Sequence, residues 1–590
     1  MEETGEQRSA LDVIQRKNRR KTRKSLLQGV ILLLVALLIY LAVFYANVYK
    51  EPDKSAWKSH QGFIALSYYG VSSDGSSKRM AKSDLNEQLK VLRDQGYRTI
   101  SQQDVLDYYE KGKPLPDKAL FLSFEDGRSD SSRLAEKMLE RYNDKATFLT
   151  YANNIDEDNN AYLQPYVIDK MKKNGYWELG SSGYRLAYSN VFEQGGRFLG
   201  QLDAQQLQSQ DDIRYYNYPL MDFIRDSNWV PTEDRGVMET RIAREYAQMK
   251  EVYTDKLGYV PDLYMIKHAN TLQQSIPELV EHANEKNIEQ LYKLGFAREG
   301  NAFNGSKGSV YDLTRLQPAP YWSTNHVMMR IGADTGQPMT FAEGEAGRAE
   351  DWKTAAGAAE FNGNEIVLTS PPGEAGLAYL RGSESFGDVA LTAKLAGNVI
   401  GEQSIYLRYD IKNDSYVRLV LKDNWITVEQ KEAGHPAERL FSRQLNDVSW
   451  RDADMDLSDK AIDTNVQGPA GAPVSKGIPF NVQHTREIGI DLLGCSLKLT
   501  VDGQTLLKGE GELIDDSIAK GDIALSAEAS KLNVKDNIYD GRFQDVQLNL
   551  LEDGGKQMLL YRNTNQGFQA AASGIEHGYG AVVNWVVDMF

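Results

Sequence analysis

Residues 25–49 carry no formal charge, and residues 30–39 are apolar without interruption. As an α-helix rising about 1.5 Å per residue, this stretch would be roughly 37 Å long, enough to cross a hydrocarbon core of about 30 Å. A buried core helix would be shorter or one-sided. A cleaved secretory signal would have a shorter apolar run followed by small residues, where this chain has Phe44, Tyr45, Asn47, Val48 and Tyr49. The stretch therefore reads as an uncleaved transmembrane helix. Seven of the nine residues 16–24 are Lys or Arg and none is acidic, while the other flank mixes Lys50, Glu51, Asp53 and Lys54. The positive side stays in the cytoplasm, which predicts a single-pass protein of the cell membrane. Residues 1–24 are then a cytoplasmic basic segment, 25–49 the membrane helix and 50–59 a linker to an extracytoplasmic body.

The 590-residue chain has a formal charge of −16; eight basic and four acidic groups lie in residues 1–24, so the remainder is near −20. Such a surface repels nucleic acid and tolerates cationic partners, glycans among them. Cys495 is the only cysteine, which excludes an internal disulfide and a cysteine-based zinc site. Stability has to come from packed cores, and a body of this length predicts two or three domains.

Two periodicities divide that body. Over residues 60–332, short apolar runs alternate with helical patterns. Residues 62–68 read as a strand, Ser83 as the cap of a helix with Leu85, Leu89 and Leu92 on one face, and Ser101 with Asp104 as a capping box. Further strands are predicted at 119–124 and 146–150, with a helix through Leu134, Met138 and Leu139 between them. Repeated strand–helix–strand units imply a parallel sheet or barrel with its chemistry at the C-terminal strand ends. Over residues 340–552 the period is two, as in Val389, Leu391, Ala393 and Leu395, in Ile405, Leu407 and Tyr409, and in Leu497, Leu499 and Val501 before an Asp502-Gly503 turn. Many short strands with such turns predict an antiparallel β-sandwich, with residues 451–476 as a long loop. Residues 553–590 form a tail of unassigned role.

The informative residues follow the strand that ends at Phe124. Glu125, Asp126 and Gly127 put two adjacent carboxylates at the C-terminal end of a barrel strand, a pair that suits one group holding a metal while the other takes a proton from water. Acid-acid-glycine is also an ordinary solvated turn.

The segment containing Phe63, Tyr97-Arg98-Thr99-Ile100-Ser101, Pro114-Leu115-Pro116 and Ser123 to Gly127 resembles the polysaccharide deacetylase domain (NodB homology, carbohydrate esterase family 4). The resemblance covers residues 60–332 and implies a distorted (β/α) barrel. In that family a Thr-Phe-Asp-Asp-Gly motif supplies a general base and a metal ligand, and a later Glu-Ile-Gly-Ser-His-Thr-x-x-His motif supplies two histidines. By resemblance Glu125 stands at the base and Asp126 at the metal ligand. The second motif is recognisable from Trp177 and Glu178 to Leu186, with Ser182 and Leu186 where the histidines would be. A hydroxyl and an isobutyl group cannot grip an ion as two imidazoles do. Asp126 is thus the only candidate ligand left, and no cofactor is expected. Tyr69 replaces a histidine common in relatives after the first strand, and no Arg-x-Pro-Tyr-type motif is evident near residues 264–270. Glu125 is also one methylene longer than the expected Asp. His60, His268, His282, His326, His435, His484 and His577 include no pair spaced i, i+4; His268 and His326 lie in the barrel segment and could approach Asp126.

Tyr69, Trp177, Ser182, Tyr184, Leu186 and Tyr188 are candidate glycan-binding positions, since aromatic faces stack on sugar rings; the tyrosines could equally pack the barrel rim. The later strands resemble concanavalin-like or laminin-G-like modules, with Trp425 and Trp450 as possible platforms. The expectation is a multidomain membrane protein with a catalytically degenerate deacetylase-like barrel that binds or organises an exopolysaccharide or cell-wall glycan, one based on an amino sugar, beside proteins of polysaccharide synthesis or export. Two alternatives stay open: an active N-deacetylase whose non-standard ligands hold a divalent metal such as zinc, and a protein-interaction scaffold.

Overall fold

Strands such as Phe63–Tyr68 and Ala119–Phe124 are buried at every position, as parallel strands covered on both faces must be. The computed structural model of the chain describes residues 21, 24–33, 48–156, 159–193, 195–208, 213–266, 276–446, 448–449, 481–533, 535–552 and 556–564. In the first half, parallel strands run in the order Phe63–Tyr68, Ala119–Phe124, Ala146–Tyr151, Trp177–Gly183, Leu263–Met265, Leu294–Glu299 and Leu313–Arg315, counted below as the first to seventh barrel strands. The sheet nearly closes. Ser67 N–H donates to the Leu316 carbonyl (2.9 Å) and Leu316 N–H to that of Ala65 (3.0 Å), joining the segment after the seventh strand to the first. Phe303–Asn304 fills the seam beside the first strand in antiparallel sense. This is the expected barrel-like architecture.

Helices clothe the barrel. Gln102–Lys111 starts on the expected capping box of Ser101 and Asp104. Lys82–Asp94 differs: it begins one residue before Ser83, after an Ala81 that offers no side-chain cap, and packs Leu85, Leu89 and Leu92 inward. An inserted three-stranded antiparallel sheet, unforeseen in the sequence, follows the fourth barrel strand. It orders Ile213–Asn217, Ala187–Glu193 and Phe198–Asp203, and has a small core of Tyr188, Val191, Leu207 and Tyr216.

The second half comprises antiparallel sheets of seven and eight strands among the described residues, which share one apolar core. Ile405, Leu407, Val417 and Leu419 face it from one sheet, and Leu391, Ile490, Leu497 and Leu499 from the other. Asp502 (φ +49°) and Gly503 (φ +75°) form the expected turn, both left-handed as a tight hairpin requires. Lys556–Arg562 pairs with Asp540–Glu552, so the sheet runs past residue 552 into the tail. Residues 565–590, Trp450 and the 451–476 segment lie outside the described residues.

Residues 24–33 are helical, while most of the apolar stretch lies outside the described residues; among those described, no helix is long and apolar enough to cross a membrane. The segment after it is fastened to the N-terminal end of the barrel rather than free. Tyr49 N–H donates to the Asn174 carbonyl (2.8 Å), Lys50 bonds both ways with Asn143 (2.9 and 2.8 Å), and Lys145 pairs with Glu51 (2.8 Å).

One buried hub joins barrel to sandwich. His326, in the helix Thr324–Thr335, faces Asp536 through Nε2 (2.7 Å) and Asp540 through Nδ1 (3.0 Å), with Trp322 stacked on its ring at 4.2 Å. Asp540 also accepts from Ser323 (2.9 Å, N–H and Oγ) and Thr369 (2.6 Å), and Arg330 pairs with Asp536. Burial alone would lower the imidazole, but Asp540 and Asp536 outweigh it and raise its pKa to about 9. The ordinary value is 6.5, so this stabilisation is complete below that pH and is lost as pH rises through about 9. The thermal midpoint should therefore fall between pH 7 and 10, with a shallower slope in His326→Gln; at pH 7, His326→Ala should cost ~3–5 kcal/mol in denaturant unfolding, because two carboxylates lose their buried partner.

Candidate active site

The second barrel strand delivers Glu125 and Asp126 at its C-terminal end, and Gly127 (φ +68°) turns the chain into the helix Ser129–Tyr142. Glu125 does not reach solvent: it is 2% exposed. One carboxylate oxygen accepts from Ser67 Oγ at 2.6 Å and from Arg315 Nε at 3.0 Å. Arg315, 1% exposed, spends its remaining donors on the carbonyls of Ile266 (3.1 Å) and Arg298 (3.3 Å) and lies 3.4 Å from Glu299. Burial would lower the guanidinium pKa, but the charges of Glu125 and Glu299 hold it raised. The pair stands at the seam, one residue before the Leu316 closure.

Asp126 is buried differently. Oδ1 accepts from Arg128 N–H at 3.1 Å, while Oδ2 is buried with no hydrogen-bond partner. The carboxylate occupies the space beside Gly70, where an ideal Cβ would fall 2.1 Å from Oδ2. Burial, only partly offset by hydrogen bonds from Arg128 and Ser131, raises its pKa to about 7.

The second-motif residues disperse. Ser182, at the end of the fourth strand, is buried with an unpartnered Oγ; it is the residue skipped where Thr150 pairs with Ser181 but Tyr151 with Gly183. Neighbouring Ser181 instead accepts from Tyr253 (3.0 Å) and Tyr292 (3.2 Å). Leu186 packs on the core of the inserted sheet. Tyr188 is buried in that core, its ring 5.0 Å from Tyr216 and 5.4 Å from Tyr218. Tyr184 packs against the main core under the Arg185 guanidinium (5.8 Å). The Tyr69 carbonyl accepts from Glu125 N–H at 3.2 Å. Trp177 begins the fourth strand, at the opposite end from Ser182, and is buried against Phe124 and Phe148 with Nε1 donating to Glu136 (2.8 Å). The structure thus brings Glu125, Asp126 and Tyr69 together and sends Trp177, Leu186 and Tyr188 into packing. Trp425 is 46% exposed on the sandwich.

The donor set does not fit the divalent metal that the resemblance implies. Asp126 and Ser182 offer one carboxylate and one neutral hydroxyl, and a zinc site draws on several nitrogen, sulfur or carboxylate donors. Both His326 nitrogens are engaged by Asp536 and Asp540, and His268 lies outside the described residues. Among those described, no three His, Cys, Asp or Glu side chains are grouped to hold an ion. Arg315 and Ser67 were missed in the sequence; a lone basic residue ending a short apolar strand, Leu313-Thr314-Arg315, was the available signal.

Residues 112–269 match the family model described as polysaccharide deacetylase. The chain is 38% identical over 71 residues to poly-beta-1,6-N-acetyl-D-glucosamine N-deacetylase of Escherichia coli (strain K12), covering 12% of this chain and 11% of that protein. It is 30% identical over 142 residues to YxkH of Bacillus subtilis (strain 168), covering 21% of this chain and 50% of that one. It therefore spans about a tenth and a half of these relatives' lengths. Among solved structures, IcaB from Ammonifex degensii aligns at 16% identity over 45% of this chain and 95% of its own, with a TM-score of 0.32.

Arg315→Met strands a buried carboxylate and should cost ~3–5 kcal/mol by denaturant unfolding, with the Glu125→Gln, Arg315→Met double variant recovering much of the loss. Because Asp126 is raised from 3.8 to about 7, its contribution to stability is complete below pH 3.8 and lost as pH rises through 7. Asp126→Asn should accordingly raise the thermal midpoint at pH 8 and flatten its decline between pH 5 and 8.

Proposed function

We propose that this is a membrane-anchored, extracytoplasmic deacetylase-like protein that has lost metal-dependent hydrolysis and binds or organises an exported or cell-wall glycan beside the proteins that make or export it. The observation that carries this reading is the state of Glu125. A general base must reach the proton it takes, and this carboxylate is shut in a desolvated ion pair with Arg315. Among the described residues, Asp126 beside it belongs to no group of His, Cys, Asp or Glu side chains that could hold an ion. The named activity of the Escherichia coli relative supports an amino-sugar polymer as the class of glycan, and the acidic chain tolerates one bearing free amines. The apolar stretch at 25–49 and the basic run before it support the anchor and its orientation.

An active enzyme with unusual ligands is the second reading, favoured by the unpartnered Asp126 Oδ2. Full-length protein in detergent, incubated with N-acetylated glucosamine polymer and zinc or cobalt, should release no acetate above the blank, while equilibrium titration shows saturable binding of acetylated or partly deacetylated polymer. Stoichiometric tightly held metal, with acetate release abolished in Asp126→Ala, would establish the enzyme instead.

A further inference from the structure

Tyrosines of the inserted sheet cluster beside the end of the third barrel strand. Tyr188, Tyr216 and Tyr218 of the inserted sheet and its exit pack ring to ring at 5.0 to 5.8 Å. Tyr218 interacts with Tyr151 at the end of the third strand, and Tyr151 with Glu125.

The long helix Arg235–Leu257 carries two distinct stripes. One stripe of it, Met238, Ile242, Tyr246, Met249 and Tyr253, is buried against the barrel. A second stripe at the same helical spacing, Val237, Thr240, Arg241, Arg244, Glu245 and Gln248, faces the inserted sheet across an open groove of about 920 Å³. That is near the top of the ~300–1,000 Å³ range of ligand pockets and leaves room for more than one sugar ring. Arg241 is structural, clamped on Glu233 (2.6 and 3.0 Å) and the Asp222 carbonyl (3.0 Å). The side chains of Arg244 and Gln248 on the helix and of Gln201 on the facing strand make no hydrogen bond or ion pair among the described residues. Arg185, on the segment leading out of the fourth barrel strand, is only loosely held by Glu245 at 3.8 Å. Val237 is 54% exposed at the rim.

Planar amide and guanidinium groups without partners, next to an exposed apolar side chain, match the hydroxyl and acetamido groups and the C–H face of a sugar. The charges of both signs in the groove nearly balance: Arg185, Arg241 and Arg244 stand against Asp203, Glu233, Asp234 and Glu245. No strong positive field is present to collect a polyanion.

We infer that this lateral groove, rather than the barrel mouth, is the glycan site, taking a run of uncharged N-acetylated amino sugars. The inference rests on the glycan-binding reading above.

Full-length protein in detergent is titrated calorimetrically with β-1,6-linked N-acetylglucosamine oligomers, with folding of each variant checked by its thermal melt. The double variant Arg244→Ala, Gln248→Ala should weaken binding at least tenfold, as should Val237→Arg, which blocks the rim. Lys250→Ala, outside the groove stripe on the same helix, should bind as the wild type does. Hydrogen exchange gives a second measure: bound oligomer should protect residues 237–248 and 198–206 and leave 123–131 unchanged. Wild-type affinity in both groove variants, or protection confined to 123–131, overturns the groove. Absence of binding by the wild-type protein to acetylated and deacetylated oligomers alike overturns the glycan reading itself, and the groove with it.

Discussion

A carboxylate removed from water has to be neutralised within bonding distance, and the barrel meets that requirement for Glu125 across its own seam. Arg315 ends the last strand and Ser67 lies in the first, so both reach Glu125 only because the sheet curls until these strands adjoin. The ion pair and the closure depend on each other. An open sheet would leave two desolvated charges far apart, and a closed one without them would lose a cross-link between the second and seventh strands. In a water-free site of this kind, breaking one partner costs far more than the intact pair contributes. Glu125 is thereby tied into the closure of the barrel.

Burial treats the neighbouring acid in the opposite way. Arg128 offsets only part of the cost of burying Asp126, and desolvation drives it toward the neutral form. Two adjacent residues of one turn thus differ in electrostatic state because one faces the seam and the other faces Gly70. Packing also decides the surroundings of residues 182–188. After Gly183 the chain passes into an antiparallel sheet whose tyrosine-rich core absorbs Leu186 and Tyr188, so positions that could have faced an ion serve packing instead.

The His326 hub shows how the two halves are held as one body. A buried imidazole between two carboxylates is stable only as the cation, and its partners Asp536 and Asp540 come from the far end of the sandwich. Ser323 and Thr369 complete the hydrogen bonding of Asp540. With both imidazole nitrogens engaged, such a network fixes geometry more firmly than apolar contact alone.

Local pattern in the sequence was enough for what depends on neighbours along the chain: the apolar stretch at 25–49, the Ser101–Asp104 capping box, the barrel strands at 119–124 and 146–150, the change to period two and the Asp502-Gly503 turn. That Ser182 and Leu186 stand where the resemblance implies histidines is a reading of residue identity alone. What pairs with what across hundreds of residues was not. Arg315 with Glu125, His326 with Asp536 and Asp540, the groove stripe opposite Gln201 and the burial of Trp177 all arise from chain segments that meet only after folding. Side-chain chemistry states which groups need a partner, but which partner stands within 3 Å is set by strand order, register and closure, and these exist only in three dimensions.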